Sequence, residues 1–304
     1  MSIHVTVVIP TFERPRQLAA CLAALATSTH PPDRFEVIVV DDGGSADLGP
    51  VIDARRSASP DLDVRLERTG RGGPAAARNA GAALARGALL AFTDDDCLPE
   101  AVWLDALVRC ATGRPHHLIG GLTSNQLTTN PFSAASQNLI SYLYDYSERQ
   151  RANPEWAGFF TSNNMAVPSD DFQRVGGFDT SFPLAAGEDR EFCDRWLAGG
   201  LPTAFAPEAR VLHAHRLGPA TFWRQHWNYG RGAVHFNRAR ARRGAAPLRP
   251  QPVAFYADLV RYPFRHGSGP RAALQAALLA ASQGANALGY FYERFRSRAP
   301  KHPA

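Results

Sequence analysis

The sequence predicts an α/β protein, with a mostly parallel sheet flanked by helices on both sides and a helical C-terminal extension. Three observations predict it. Short apolar runs alternate with stretches of helical spacing from Val5 to Val108, the pattern of a sheet whose strands are joined by crossover helices. Several runs end in polar, turn-forming residues: Pro10-Thr11, Asp41-Asp42-Gly43-Gly44 and Asp94-Asp95-Asp96. Charge is also divided unevenly. Residues 1–200 carry 17 Arg against 25 acids, a net of −8, whereas residues 201–304 carry 15 Arg and 1 Lys against 3 acids, a net of +13. The overall +5 therefore hides an acidic part suited to cations and a basic part suited to phosphates or anionic lipid.

In order, Val5–Ile9 reads as a buried strand, and Leu18, Leu22 and Leu25 mark a helix with Pro15 in its first turn. Phe35–Val40 is the second strand, followed by a helix through Val51 and Ile52 and an alternating strand, Val64–Glu67. Gly70–Pro74 is a loop feeding an Ala-rich helix, 75–85. Ala88–Thr93 is a further strand, and a helix start is expected at Pro99. After Gly121 the pattern loosens: a helix over Ser133–Tyr146, a loop over Ser147–Trp156 and a returning strand over Phe159–Val167 are expected. A helix opens at Gly187-Glu188-Asp189 and stops at Gly199-Gly200; Thr203–Phe205 and Arg210–Leu212 read as two short strands. A long helix, Pro219–Arg243, a Pro-broken segment and a final helix complete the chain. These readings divide it into 1–217 (halves 1–98 and 99–217) and a basic extension, 218–304.

Cys21, Cys97, Cys110 and Cys193 form no CxxC pair, so neither a zinc site nor a disulfide framework is indicated and reduced, cytosolic thiols are expected. No basic, apolar leader precedes the first strand. The most apolar stretch, Ala272–Phe291, is interrupted by Gln275, Gln283 and Asn286. It fails as a membrane span, and a surface-lying amphipathic helix is left open.

The acidic cluster carries the chemistry. Strand alternation places Asp94 and Asp96 on one face at a strand end, and two carboxylates so placed repel unless a cation lies between them. Hard oxygen ligands favour Mg2+ or Mn2+, and the strand ends of an open sheet are where α/β proteins place ligands. A solvated acidic turn is the plainer alternative.

Several motifs then coincide: Val7–Arg14, Val39–Ser45, Gly73–Gly81, Asp94–Asp96, Ser162–Pro168, Gly176–Asp179, Gly187–Phe192 and Ala209–His213. In this order and spacing, across roughly residues 3–235, they resemble the catalytic domain of family 2 glycosyltransferases, an inverting family with the GT-A fold.

The resemblance implies a transferase moving sugar from a UDP-, GDP- or dTDP-sugar to an acceptor hydroxyl, in cell-envelope glycan, glycolipid or secondary-metabolite glycosylation. It implies that Pro10, Thr11 and Glu13 hold the nucleoside, that Asp42 reads the base, and that Gly73, Arg78, Asp94 and Asp95 complete the donor site. Thr11 equally suits a helix N-cap, Asp41 a turn, and Arg78 a surface position. Asp94 and Asp96 match the family's DxD motif, with Mn2+ or Mg2+ on the diphosphate, and His213 matches a further metal ligand that His215 could replace.

Asp189 matches the general base and Glu188 the residue that orients it; helix-start acids favoured by the macrodipole are the alternative. Arg190 and Arg195 are expected to pair with these acids or to be exposed. Asn163 and Asn164 suit sugar hydroxyls or a structural turn. Gln225 is followed by His226-Trp227-Asn228, so the QxxRW motif of processive members is absent, and Trp223 and Trp227 read as a packing face against the catalytic domain. The acceptor is expected to be carbohydrate, lipid-linked or a small molecule, and the location cytoplasmic, with the basic tail on an anionic inner membrane face. A homo-oligomer is left open, and no specific nucleic acid is expected. A non-catalytic binding module or a nucleotidyltransferase is the competing class, disfavoured by the three acids and by Pro10–Glu13 where a Gly-rich basic loop would stand.

Overall fold

The computed structural model describes residues 4–149 and 159–296. By internal packing the chain forms two compact units. The first comprises Met1–Gln126, Phe159–Ser181 and Phe192–Ala214; the second comprises Leu127–Gly158, Phe182–Glu191 and His215–Ala304. The segments 127–158 and 182–191 thus group with the C-terminal helices.

The first unit is built on β1 (Val5–Thr11), β2 (Phe35–Asp42), β3 (Asp63–Thr69), β4 (Leu89–Thr93), β5 (Cys97–Pro99), β6 (Leu118–Asn125), β7 (Asn164–Pro168) and β8 (Thr203–His213). They form one sheet in the order β3-β2-β1-β4-β7-β6-β8-β5. β1, β2, β3 and β4 run parallel, β7 runs antiparallel to β4 and β6, and β8 runs parallel to β6. The carboxyl ends of β1, β2, β4 and β8 therefore share one edge. There Thr11 stands opposite Asp41, and Cys97 of the antiparallel β5 opposite His213.

The strands' continuous apolar runs are explained by burial on both faces. Val5, Val7 and Ile9 pack with Leu18, Leu22 and Leu25 of α1 (Pro15–Leu25), Ile52 of α2 (Gly49–Ala58) and Leu104 and Leu107 of α4 (Trp103–Thr112). The alternate residues Val8, Ile38 and Val40 face Ala75, Ala77 and Ala82 of α3 (Pro74–Ala83). Phe172 of α6 (Ser169–Val175) and Phe192 and Trp196 of α7 (Glu188–Ala198) join that second layer. None of the four cysteines is in a disulfide among the described residues, and all are buried.

Several expectations are corrected here. Pro99 ends a three-residue strand and α4 begins at Trp103, because Cys97–Pro99 finds a partner in β8. The two short strands expected at 203–212 are one eleven-residue strand with an irregular register beside Gly121/Leu122. The strand expected from Phe159 begins at Asn164. Ser147 lies within α5 (Pro131–Arg149), and the rest of the loop expected over Ser147–Trp156 falls mostly outside the described residues.

The second unit contains α5, α8 (Pro219–Arg242), α9 (Val253–Arg261), α10 (Pro263–His266) and α11 (Gly269–Arg296). Leu139 and Tyr142 of α5 pack with Phe255 and Leu259 of α9, Tyr262 and Leu279. Where α8 meets α11 the backbones nearly touch. A Cβ on Gly230 would lie 1.8 Å from the Asn286 carbonyl, and one on Gly289 would lie 2.0 Å from the Trp227 carbonyl. Trp227 rests on Tyr292 of α11 and Trp223 is exposed, so the pair does not form the single packing face expected of it. Among the described residues, no helix is long and apolar enough to cross a membrane.

Candidate active site

The strand ends of the first unit gather most of the residues singled out in the sequence. Asp94–Asp96 is the turn between β4 and β5, closed by the Cys97 N–H donating to the Asp94 carbonyl at 3.1 Å. The alternation survives in the turn, since Asp95 is buried while Asp94 and Asp96 are partly open.

Asp95 points into the fold, where its carboxylate accepts from the Thr11 hydroxyl at 2.7 Å and from Arg14 at 3.1 Å. Burial pushes its carboxyl up to about 6, against the pull of Arg14 and Thr11. Asp95 was expected in the donor site; its carboxylate here ties β1 to the turn, and Thr11 is occupied the same way. Asp96 meets Arg14 and His213 at 3.1 Å each. Burial lowers the His213 pKa, but the hydrogen bond and charge of Asp96 outweigh it and leave the imidazole above its ordinary value. Asp94 accepts from buried Arg78 at 2.5 Å, and Arg78 also lies beside the Phe178 ring.

Donor atoms of Asp96, Cys97 and His213 lie within 4.8 Å of one another. Burial first, then the neighbouring carboxylates, hold the Cys97 thiol well above its ordinary range, so oxygen and imidazole nitrogen are the donors offered. That set fits Mg2+ or Mn2+. Asp94, expected as a ligand, has its carboxylate on Arg78. His215 lies beyond the end of β8, and its carbonyl accepts from Ser133 at 2.7 Å.

Asp42 and the Gly70–Pro74 loop are joined. The Asp42 carboxylate accepts from the N–H of Gly72 at 2.7 Å and of Gly73 at 2.9 Å, so the loop amides expected to meet an anion meet this one. Asp41 accepts from the Gly44 N–H at 2.9 Å, the turn-forming role. Glu13, at φ 57°, accepts from the Ser45 N–H and from its hydroxyl, and those bonds lower its pKa. Pro10 is buried in β1. Beside them Arg71 stacks on Phe12, 3.2 Å from the ring centroid.

Glu188 and Asp189 open α7 within the second unit. Glu188 is buried and Asp189 half-buried, with one Asp189 oxygen accepting from the Arg190 N–H at 2.7 Å. α8 comes against the preceding residues because Gly232 has no side chain; a Cβ there would lie 2.2 Å from the Ala186 carbonyl. On α8, the Tyr229 pKa is raised, first by burial and then by the Asp189 charge. Its hydroxyl accepts from Gln225, which also donates to Ser136 at 2.9 Å. Arg190 lies over Phe236. Arg195, expected to pair with these acids or to be exposed, donates to the carbonyls of Val175 and Gly177 at 2.5 and 2.6 Å. Asn164 holds the Trp103 indole and the Ala209 carbonyl, and Asn163 accepts from Thr161 at 2.7 Å. Both asparagines thus have structural partners.

The family model for Glycosyl transferase family 2 matches residues 6–176, more than half of the chain. The chain is a family 2 glycosyltransferase. It is similar to glycosyltransferase AglE of Haloferax volcanii, 26% identical over 231 residues that cover 76% of this chain and 73% of that one. It is also similar to validoxylamine A glucosyltransferase of Streptomyces hygroscopicus, 29% identical over 240 residues, covering 69% of this chain and 51% of the relative. The glycosyltransferase thus spans about half the length of that second relative.

A mannosyltransferase from Pyrobaculum calidifontis, solved with GDP-Man and Mn2+, matches with a TM-score of 0.63 at 19% identity, over 94% of this chain and 87% of that one. At that identity the likeness is one of fold, and the fold is GT-A. Sequence reasoning passed over Arg14, Arg71 and Tyr229 as site residues. Arg14 was legible in part, standing at the end of the first motif; the other two are placed by tertiary packing alone.

Proposed function

We propose that the protein transfers a sugar, with inversion, from a nucleoside-diphosphate sugar to an acceptor hydroxyl, and that it needs a divalent cation. One observation carries the reading: acids from the β4–β5 turn meet an imidazole from β8 and two arginines, from β1's end and α3, at the edge where the strands end. A cation bound to Asp96 and His213, as Mn2+ or Mg2+, would neutralise charge on the departing diphosphate. Asp94 would join those ligands once Arg78 turns from it to a phosphate. Arg14 and Arg78, both already held on carboxylates, supply positive charge at the same edge.

Asp189 is the base in this reading. Its carboxylate takes the acceptor's hydroxyl proton as that oxygen bonds to the anomeric carbon and the bond to the phosphate oxygen breaks. The nucleoside diphosphate carries away the electron pair, and a single displacement turns an α-linked donor into a β-linked product. Glu188 orients the base. Pro10, Thr11, Glu13 and Asp42 form the nucleoside side, with Gly73 closing its loop. The donor is bound by residues 1–98, the acceptor by 99–217, and the acceptor is a carbohydrate, a lipid-linked or a small-molecule hydroxyl reached from the cytoplasm.

The test is calorimetric titration of nucleoside diphosphates with and without Mn2+ or Mg2+. Asp96→Ala should weaken metal-dependent binding about tenfold or more, and an affinity that stays put removes Asp96 from the site. A donor panel read by diphosphate release then identifies the sugar.

A further inference from the structure

We propose that the outer face of α11 is a docking surface for an anionic lipid membrane. The helix is amphipathic in the inverse sense. Its buried side holds Gln275, Ser282 and Glu293, each with a hydrogen-bond partner inside the unit. From residue 273 to residue 292, by contrast, every exposed position is Ala, Leu, Gly, Phe or Tyr. At 1.5 Å per residue this uncharged face runs for about 30 Å. Leu288, Phe291 and Phe295 are 53%, 51% and 63% exposed, a contiguous apolar surface of the kind that marks an interaction site.

Charge decides what covers it. Among the described residues of 215–296, every exposed charged side chain is an arginine, and the two acids, Asp258 and Glu293, are half-buried or buried on arginines of the same unit. Arg271 stands at one end of the apolar face and Arg294 and Arg296 at the other. A second copy would set these arginines against each other in either direction, with no acid on the face to pair with them. An anionic lipid surface accepts all of them. It also suits the aromatic end, since Phe291, Tyr292 and Phe295 lie at the same level as Arg294 and Arg296, the pairing of apolar anchor and basic contact that holds interfacial helices.

The proposal stands apart from the transfer chemistry, so a result on lipid leaves that reading untouched. The experiment is co-sedimentation of the full chain with vesicles of phosphatidylcholine alone and of phosphatidylcholine with about a third phosphatidylglycerol. Binding is expected to the anionic vesicles and to weaken at high salt. L288E/F291E should lower the partition about tenfold or more, with its melting curve retained because both side chains are exposed. R294E/R296E, which leaves the apolar residues in place, should selectively lower binding to the anionic vesicles. No binding by the native chain overturns the proposal, as does undiminished binding by both variants. A solution dimer that L288E/F291E converts to monomer, with vesicle binding unchanged, assigns the face to a second copy and also overturns it.

Discussion

At the scale of single residues, each acid of the strand-end turn has a different neighbour and so a different character. Asp95 is buried on Thr11 and Arg14, Asp94 lies on Arg78, and Asp96 lies between Arg14 and His213. Three identical side chains in a row therefore divide into one that holds the fold and two that face the edge. Asp189 belongs to the other unit, beside a tyrosine whose pKa is raised by burial first and then by the Asp189 charge. Asp189→Asn should lower kcat by about a thousandfold or more while the affinity for donor stays within a few-fold. Donor affinity measured by calorimetry decides the point, since a large loss there takes Asp189 out of the base role. The sequence could show that these acids exist and which family motif they match. It could not show the arginines on them, because Arg78 is 16 residues from Asp94 and Arg14 is 82 from Asp96, distances that only the sheet closes.

Among elements, what was legible follows from what each strand must bury. β1, β2 and β4 are covered by helices on both faces, so their composition is a plain apolar run. β6 was passed over because it contains Gly120-Gly121, which reads as a loop. The Phe160 ring explains the glycine: a Cβ on Gly120 would lie 1.9 Å from it, so the strand's missing side chain is supplied by another part of the chain. β5 was misread as a helix start because three residues paired to a distant strand leave no periodicity to detect. The α8–α11 contact depends on the same economy of side chains. Gly289→Ala gains about 1 kcal/mol of helix propensity, yet must push apart two backbones already in contact. Net destabilisation of about 1–3 kcal/mol is expected from urea unfolding, and a stabilised variant would show that the helices can separate freely.

For the molecule as a whole, stability should carry the signature of one buried imidazole. His226 of α8 is fully buried, lies against Phe222 and Tyr229, and neither ring nitrogen has a hydrogen-bond partner among the described residues. Burial holds its pKa down from 6.5 to about 4. The folded chain therefore refuses a proton that the unfolded chain accepts. The stabilisation is complete above pH 6.5 and is lost as the pH falls towards 4. It amounts to about 3 kcal/mol. Asp95, raised to about 6, gives the opposite slope over the same window, so the signature is a difference. The unfolding midpoints of His226→Leu should rise relative to those of the native chain as the pH falls, and a variant whose midpoints run parallel to the native ones would place the titration elsewhere.

The arginines at the acidic turn have a consequence for how the molecule exists between encounters with its donor. Proteins that gather carboxylates at one point often depend on an ion to hold the point together. This one carries its counter-charges covalently, in side chains already seated, so its architecture is expected to survive in a medium stripped of divalent salts. On the proposed metal-dependent reading, what such a medium would withhold is turnover, and supplying the ion again would restore it without any refolding.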